Sequence, residues 1–207
     1  MDLYFAPLSC SLATRIALYE SGQVARFHEV LLSTKKTKAG ADYLAINPKG
    51  QVPALLTDDG EVLTEGVAIL QYVADRAPAS GLAPPAGEFA RYRLQQWLNY
   101  IASEVHKQVF YALFNPAVPV EAKAYAREVA LPARFDHLSA HLGDRAYLVG
   151  DRFTVADAYL LTALNWTAPA GVDLKRWPVL ADWHAAQLQR SAVARAVGEE
   201  FALRQAA

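Results

Sequence analysis

The chain predicts a mixed α/β domain followed by an all-α domain. Three observations carry that reading: short strand-like runs alternate with helix-period stretches through Asp75, proline, glycine and alanine concentrate between Arg76 and Gly87, and apolar residues from Phe89 onward recur only at helical spacing. The expected domains are therefore 1–80 and 88–207, joined by a linker at 81–87.

Asp2 to Ala6 reads as a strand that Pro7 and Ser9 end. Leu12, Ile16, Ala17 and Tyr19 then mark a helix stopping at Ser21-Gly22, which places Cys10 in its first turn. Phe27 to Leu32 is a second strand, and the intervening helix supplies the crossover that parallel pairing requires. After the lysine-bearing loop Ser33 to Gly40, a brief helix is expected over Ala41 to Ile46, since Pro48 prevents a longer one. Strand Ala54 to Leu56, the Asp58-Asp59-Gly60 turn and strand Val62-Leu63 form a hairpin leading to a helix over Glu65 to Asp75. The expected order is β-α-β-α-β-β-α. In the second half, Phe89 to Leu113 and Val120 to Leu142 are long helices separated by Asn115-Pro116. Thr154 and Asp157 have the spacing of a capping box for an almost wholly apolar helix, a role in folding rather than chemistry. Pro178 to Leu188 and Ser191 to Phe201 are the remaining helices.

At 207 residues and 53% apolar, the chain can bury a substantial core. Its 20 basic and 21 acidic residues are spread evenly, so no field of one sign is available for nucleic acid or an anionic membrane surface. The first residues read as a strand rather than a secretory leader and no later run approaches membrane length, so a cytoplasmic location is expected. One cysteine excludes an internal disulfide framework but permits a mixed disulfide with a small thiol. The five histidines are scattered without ligand spacing, so no metal site is expected.

Chemistry concentrates between Asn47 and Ile69. Pro53 heads a strand without a donor of its own, and a cis Val52-Pro53 bond would turn the N–H and C=O of Val52 outward as a peptide edge. The helix that begins at Glu65-Gly66 offers unpaired N–H groups suited to a carboxylate. A strand edge beside an anion pocket fits a small peptide; a plain hairpin running into a helix is the alternative.

Taken in order, Asn47-Pro48-x-Gly50-x-Val52-Pro53-Ala54-Leu55, Glu65 at a helix start, an all-helical second half and the Phe153-Thr154-x-Ala156-Asp157 box resemble a glutathione S-transferase with a thioredoxin-like amino-terminal domain. Cys10-Ser11 and Asn99-Tyr100-Ile101-Ala102-Ser103-Glu104-x-His106-Lys107 are similar to the bacterial beta class. The resemblance implies glutathione as co-substrate, with its cysteinyl backbone on Val52 beside cis-Pro53. It implies that the γ-glutamyl carboxylate meets the amides at Glu65 and Gly66, the Glu65 carboxylate meets the ammonium, and Lys35 meets the glycyl carboxylate. Gly66 departs from the family's usual serine or threonine, which removes one hydroxyl contact. Asn99, Ser103, Glu104 and Lys107 are implied as further glutathione contacts, Asn99 across a homodimer interface. The spacing of Asn99, Ser103, His106 and Lys107 places these four on one helix face.

Conjugation needs the glutathione thiolate, and an ordinary thiol is mostly protonated at neutral pH. The resemblance assigns that activation to Cys10, Ser11 and His106, with Tyr4 as the rival. His106 could donate a hydrogen bond or accept the proton, and Cys10 could be donor, nucleophile or disulfide partner. The activity expected is detoxifying conjugation of hydrophobic electrophiles, with disulfide exchange or peroxide reduction as side activities. A non-catalytic interaction module and a passive carrier of apolar compounds are the alternatives.

Overall fold

The computed structural model describes residues 1–205. It divides into two compact units, one made of residues 1–83 together with those from 190 on, the other of residues 84–189.

In the first unit a five-stranded sheet has the order β3-β2-β1-β4-β5. Its strands are β1 (Asp2–Phe5), β2 (Arg26–Leu31), β3 (Lys36–Thr37), β4 (Ala54–Leu56) and β5 (Val62–Thr64). β1 and β2 pair in parallel, Leu3 opposite Phe27, because α1 (Leu12–Glu20) carries the chain across the sheet between them. The other pairings are antiparallel, with Tyr4 opposite Ala54 and Ala54 opposite Thr64. α1 is buried at every position from Leu12 to Leu18, whereas α2 (Gly66–Arg76) buries Ile69, Leu70, Val73 and Ala74, an i, i+3, i+4 stripe. Each fully buried leucine or isoleucine contributes about 1.5–3 kcal/mol.

The brief helix expected over 41–46 is not formed. Tyr43 is fully buried there and its hydroxyl donates to the Gln51 carbonyl at 2.6 Å, while the Asp42 carboxylate accepts from the Leu44 N–H at 3.0 Å. Only one turn results, with the Ile46 and Asn47 amides both on the Tyr43 carbonyl. Six residues do not repay helix nucleation when side-chain bonds of this kind compete. The observed order is β-α-β-β-β-β-α.

The second unit is all helical. α3 (residues 89–114) is one continuous rod whose middle, Ile101–Tyr111, loosens to π-type hydrogen bonding. α4 (residues 120–142) does the same over Ala126–Ala130, immediately before Pro132, whose ring and missing N–H disfavour a regular α turn at that point. α5 (Val155–Leu164) is buried along its whole length, and α6 (Pro178–Leu188) follows. The Asp157 carboxylate at the start of α5 accepts the Thr154 N–H, the Thr154 hydroxyl and the Leu148 N–H, each at 2.8 Å. Burial pushes its pKa up to about 6 against those three bonds.

The last helix, α7 (Ser191–Gln205), groups with the sheet-bearing unit, not with the helices that precede it. It packs on α1, where Tyr19 donates to Glu199 at 2.6 Å and Arg190 holds Glu20 through two bonds of 2.7 and 2.8 Å. A helical domain running from 88 to 207 therefore differs from the division seen here. Composition separates helices from strands, but it carries no information on which unit a terminal helix covers.

Candidate active site

The first unit gathers Cys10, Lys35, Val52, Pro53, Glu65 and Gly66 around the chain between Asn47 and α2. Asn47 organises that stretch from a buried position: its side chain donates to the Gln51 carbonyl at 2.7 Å and accepts from the Lys49 N–H at 3.2 Å. Gly50 has a positive φ, and a Cβ there would meet the Lys35 side chain at 3.1 Å, so glycine permits both the turn and the passage of the lysine stem. Lys35 ends with its ammonium on the Gly50 carbonyl at 2.9 Å.

The Val52-Pro53 bond is cis. Residue 52 precedes β4, and among the described residues no backbone acceptor meets its N–H. Its carbonyl accepts the Cys10 thiol at 3.1 Å. Among the described residues no backbone acceptor meets the N–H groups of Gly66, Val67 or Ala68 either; the first α2 bond runs from Ile69 to the Glu65 carbonyl. Glu65 itself has φ of 69°, a left-handed conformation uncommon for a residue with a side chain, of the kind that clusters at binding sites. Its exposed carboxylate pairs with the Lys49 ammonium, which also donates to the Thr64 hydroxyl at 2.9 Å. The sequence did not single out Lys49; two lysines and an acid fourteen or more positions apart give no local signal.

Cys10 lies in the turn leading into α1 and is half-buried. Ser11 differs from expectation. It is fully buried, and its hydroxyl is engaged by the Ala6 N–H, the Ala6 carbonyl and the Ser9 hydroxyl at 3.2, 3.2 and 2.8 Å. Its group braces the loop that carries Cys10. The same loop is anchored by Leu8, which has φ of 60° and whose N–H donates to Glu200 of α7 at 2.7 Å. Glu200 is fully buried, and desolvation pushes its pKa up to about 7 although Arg15 lies 3.1 Å away. Arg15 is held between the Phe5 and Phe27 rings, 4.3 and 4.1 Å from their centroids. Tyr4 stacks on His28 at 4.9 Å, and burial raises its pKa, a poor setting for a thiol activator.

In the second unit, the stripe expected over Asn99, Ser103, His106 and Lys107 is split. Asn99, Ser103 and Lys107 are exposed, the Ser103 hydroxyl donating to the Asn99 carbonyl at 3.0 Å and Lys107 lying over the Tyr111 ring. His106 turns inward: Nδ1 is 2.7 Å from the Tyr159 hydroxyl and its ring is 4.8 Å from that of Trp166. π-type winding changes the angular step along the rod, which is why a count in threes and fours misplaces one of the four. Burial first, and Lys107 second, push the His106 pKa down to about 4. Glu104 is committed to Arg134 of α4 at 2.7 Å, an ion pair within the helical unit rather than an open ligand contact.

Two family models match the chain: the glutathione S-transferase N-terminal domain over residues 9–76 and the glutathione S-transferase C-terminal domain over residues 101–190. Glutathione S-transferase GstA of Escherichia coli O157:H7 is 43% identical over 200 residues, covering 97% of this chain and 98% of that protein. A sphingomonad glutathione S-transferase solved in complex with glutathione superposes with a TM-score of 0.93 at 45% identity, covering 97% of this chain and 99% of its own. A bacterial beta class glutathione S-transferase from Sphingomonas chungbukensis gives 0.92 at 42%, covering 97% and 98%.

Proposed function

The chain belongs to the glutathione S-transferase family and is a glutathione transferase, and from that premise we propose that it is a cytoplasmic, homodimeric beta-class enzyme in which Cys10 and Val52 receive the cysteinyl part of glutathione. The observation that carries this reading is the 3.1 Å contact between the Cys10 thiol and the Val52 carbonyl. It puts the single cysteine against the main chain on which a peptide ligand would lie, so the ligand's sulfur and Cys10 would share one neighbourhood. The open Val52 N–H supplies one rung of backbone pairing, and its carbonyl takes the ligand's amide once the Cys10 thiol turns from it toward the ligand's sulfur.

The γ-glutamyl carboxylate would lie on the amides of Gly66, Val67 and Ala68, where the helix dipole contributes about 0.3–1 kcal/mol. Its ammonium would take the place on Glu65 that Lys49 holds in the free protein. Lys35 would leave the Gly50 carbonyl for the glycyl carboxylate, exchanging a neutral acceptor for a charged one. The sulfur is then stabilised as thiolate by the Cys10 S–H, with His106 contributing from α3 and Ser11 keeping the Cys10 loop in place. The electrophile is hydrophobic, and the physiological role is detoxification.

Retention on immobilised glutathione and glutathione-dependent turnover of an aryl halide are the expected results. Absence of binding at millimolar glutathione would remove the proposal. The same Cys10 contact also favours thiol-disulfide exchange as a second activity. Cys10→Ser is expected to abolish reduction of a glutathione mixed disulfide while largely sparing conjugation, and equal loss of both would reject that division of roles.

A further inference from the structure

We propose that Tyr159 is a positioning residue that donates its hydroxyl proton to His106 Nδ1 and so holds His106 as the neutral Nε2–H tautomer, able to donate a hydrogen bond but not to accept a proton. The inference rests on the transferase reading only for the use to which His106 is put; the tautomer itself is a property of the helical unit.

The geometry comes first. Nδ1 and the phenolic oxygen are 2.7 Å apart, shorter than the usual N–H···O separation and typical of an O–H donor. Phenol is the stronger acid of the two partners, and the imidazole lone pair is far more basic than a phenol oxygen, so O–H···N is the favoured direction. The rings stand nearly perpendicular, at 88°, and the Trp166 ring packs on the imidazole at 4.8 Å, which leaves it little freedom to flip. Tyr159 is buried on α5, a helix with no space for its side chain to swing away.

A neutral imidazole has one acceptor nitrogen. With Nδ1 used by Tyr159, the proton resides on Nε2, and among the described residues no hydrogen-bond partner meets that atom. Protonating the ring would require the tyrosine hydroxyl to turn and accept from Nδ1–H, giving up the O–H···N bond. Burial and the Lys107 charge oppose it further, in keeping with the low pKa of this histidine. Of the two roles open to His106, general base and hydrogen-bond donor to an anionic sulfur, this arrangement favours the second. Tyr159 gave no signal in the sequence, being 53 positions from His106 in an almost wholly apolar segment.

The test is long-range ¹H–¹⁵N correlation on the full-length protein with ¹⁵N-labelled histidine at neutral pH, the His106 signals being assigned with His106→Gln. A pyrrole-type Nε2 and a pyridine-type Nδ1 are expected, and in Tyr159→Phe the Nδ1 resonance is expected to move. Tyr159→Phe should also lower kcat about fivefold, the loss of one neutral hydrogen bond, with KM for glutathione unchanged. A pyridine-type Nε2 in the wild-type enzyme overturns the proposal, with no variant needed. So does an Nδ1 resonance that Tyr159→Phe leaves unmoved. Lack of transferase activity would instead sink the functional reading and leave the tautomer measurable.

Discussion

Two helices in this protein start with a threonine and an acid, and they use them in opposite ways. At the start of α5, Asp157 is fully buried, and its carboxylate accepts three hydrogen bonds from Thr154 and Leu148. At the start of α2, Glu65 is exposed, held at a positive φ, paired with a surface lysine, and followed by three amides that no described backbone group accepts. The first arrangement leaves nothing for a ligand to add. The second leaves donors, an anion and backbone strain in one place, which is what a binding site retains when a fold has satisfied everything else.

That contrast can be broken most directly at Asp157. Asp157→Ala strands two buried amides and is expected to destabilise the protein by about 2–6 kcal/mol in chemical denaturation, at 1–3 kcal/mol for each buried group left unpaired. A loss under 1 kcal/mol would mean that the cluster is not structural. The pH dependence sharpens the same point. Asp157 has a folded pKa of about 6 against an ordinary 3.8, so the native state holds the extra proton between those values. Its contribution is fully present below pH 4 and is lost as pH rises to 6, by up to about 3 kcal/mol. Wild type minus Asp157→Asn, measured across that window, should show this slope; a flat difference would contradict it.

Glu65 should behave in the reverse sense. Glu65→Gln removes a charge from an exposed pair worth about 0–1 kcal/mol, so unfolding should barely change. Glutathione affinity, by calorimetric titration, should fall about 10- to 30-fold with the loss of a charge-assisted bond. A large drop in stability with affinity intact would erase the distinction between the two helix starts. The smallest effect is expected at Gly66. A Cβ there would meet only Pro53 atoms at 3.8 and 3.9 Å, ordinary contact, so serine fits. Gly66→Ser should tighten glutathione binding about fivefold by adding a hydroxyl to the carboxylate pocket, and an unchanged Kd would show that the pocket does not lie there.

How far the sequence could be read follows a physical line. Period-2 and period-3.6 patterns located β1, β2, β4, β5 and the long helices because burial of one face acts on residues close in the chain, but not β3, whose two residues, Lys36 and Thr37, are too few to show a period and lie in what reads as a polar loop. The Asn47–Pro53 stretch was readable for a similar reason: Asn47, Gly50 and Pro53 act on their own neighbours. What could not be read depends on residues brought together by packing. The occupation of the Ser11 hydroxyl by Ala6 and Ser9, the Glu104–Arg134 pair and the inward turn of His106 arise from loop closure, a facing helix and π-type winding. None has a local composition that announces it. Residues 41–46 failed in the other direction, a helical pattern defeated by a buried tyrosine and an aspartate that bonds its own backbone.

The membership of α7 has a consequence for how the protein is made. Arg15 and Glu199 lie 184 positions apart, yet the face of α1 that carries Arg15 is covered only when α7 returns to it. A nascent chain emerging amino-terminus first would expose that face of α1, with Arg15 and the Leu8 amide still lacking their acids, throughout translation of the helical unit. The part of the protein synthesised first is thus the part finished last.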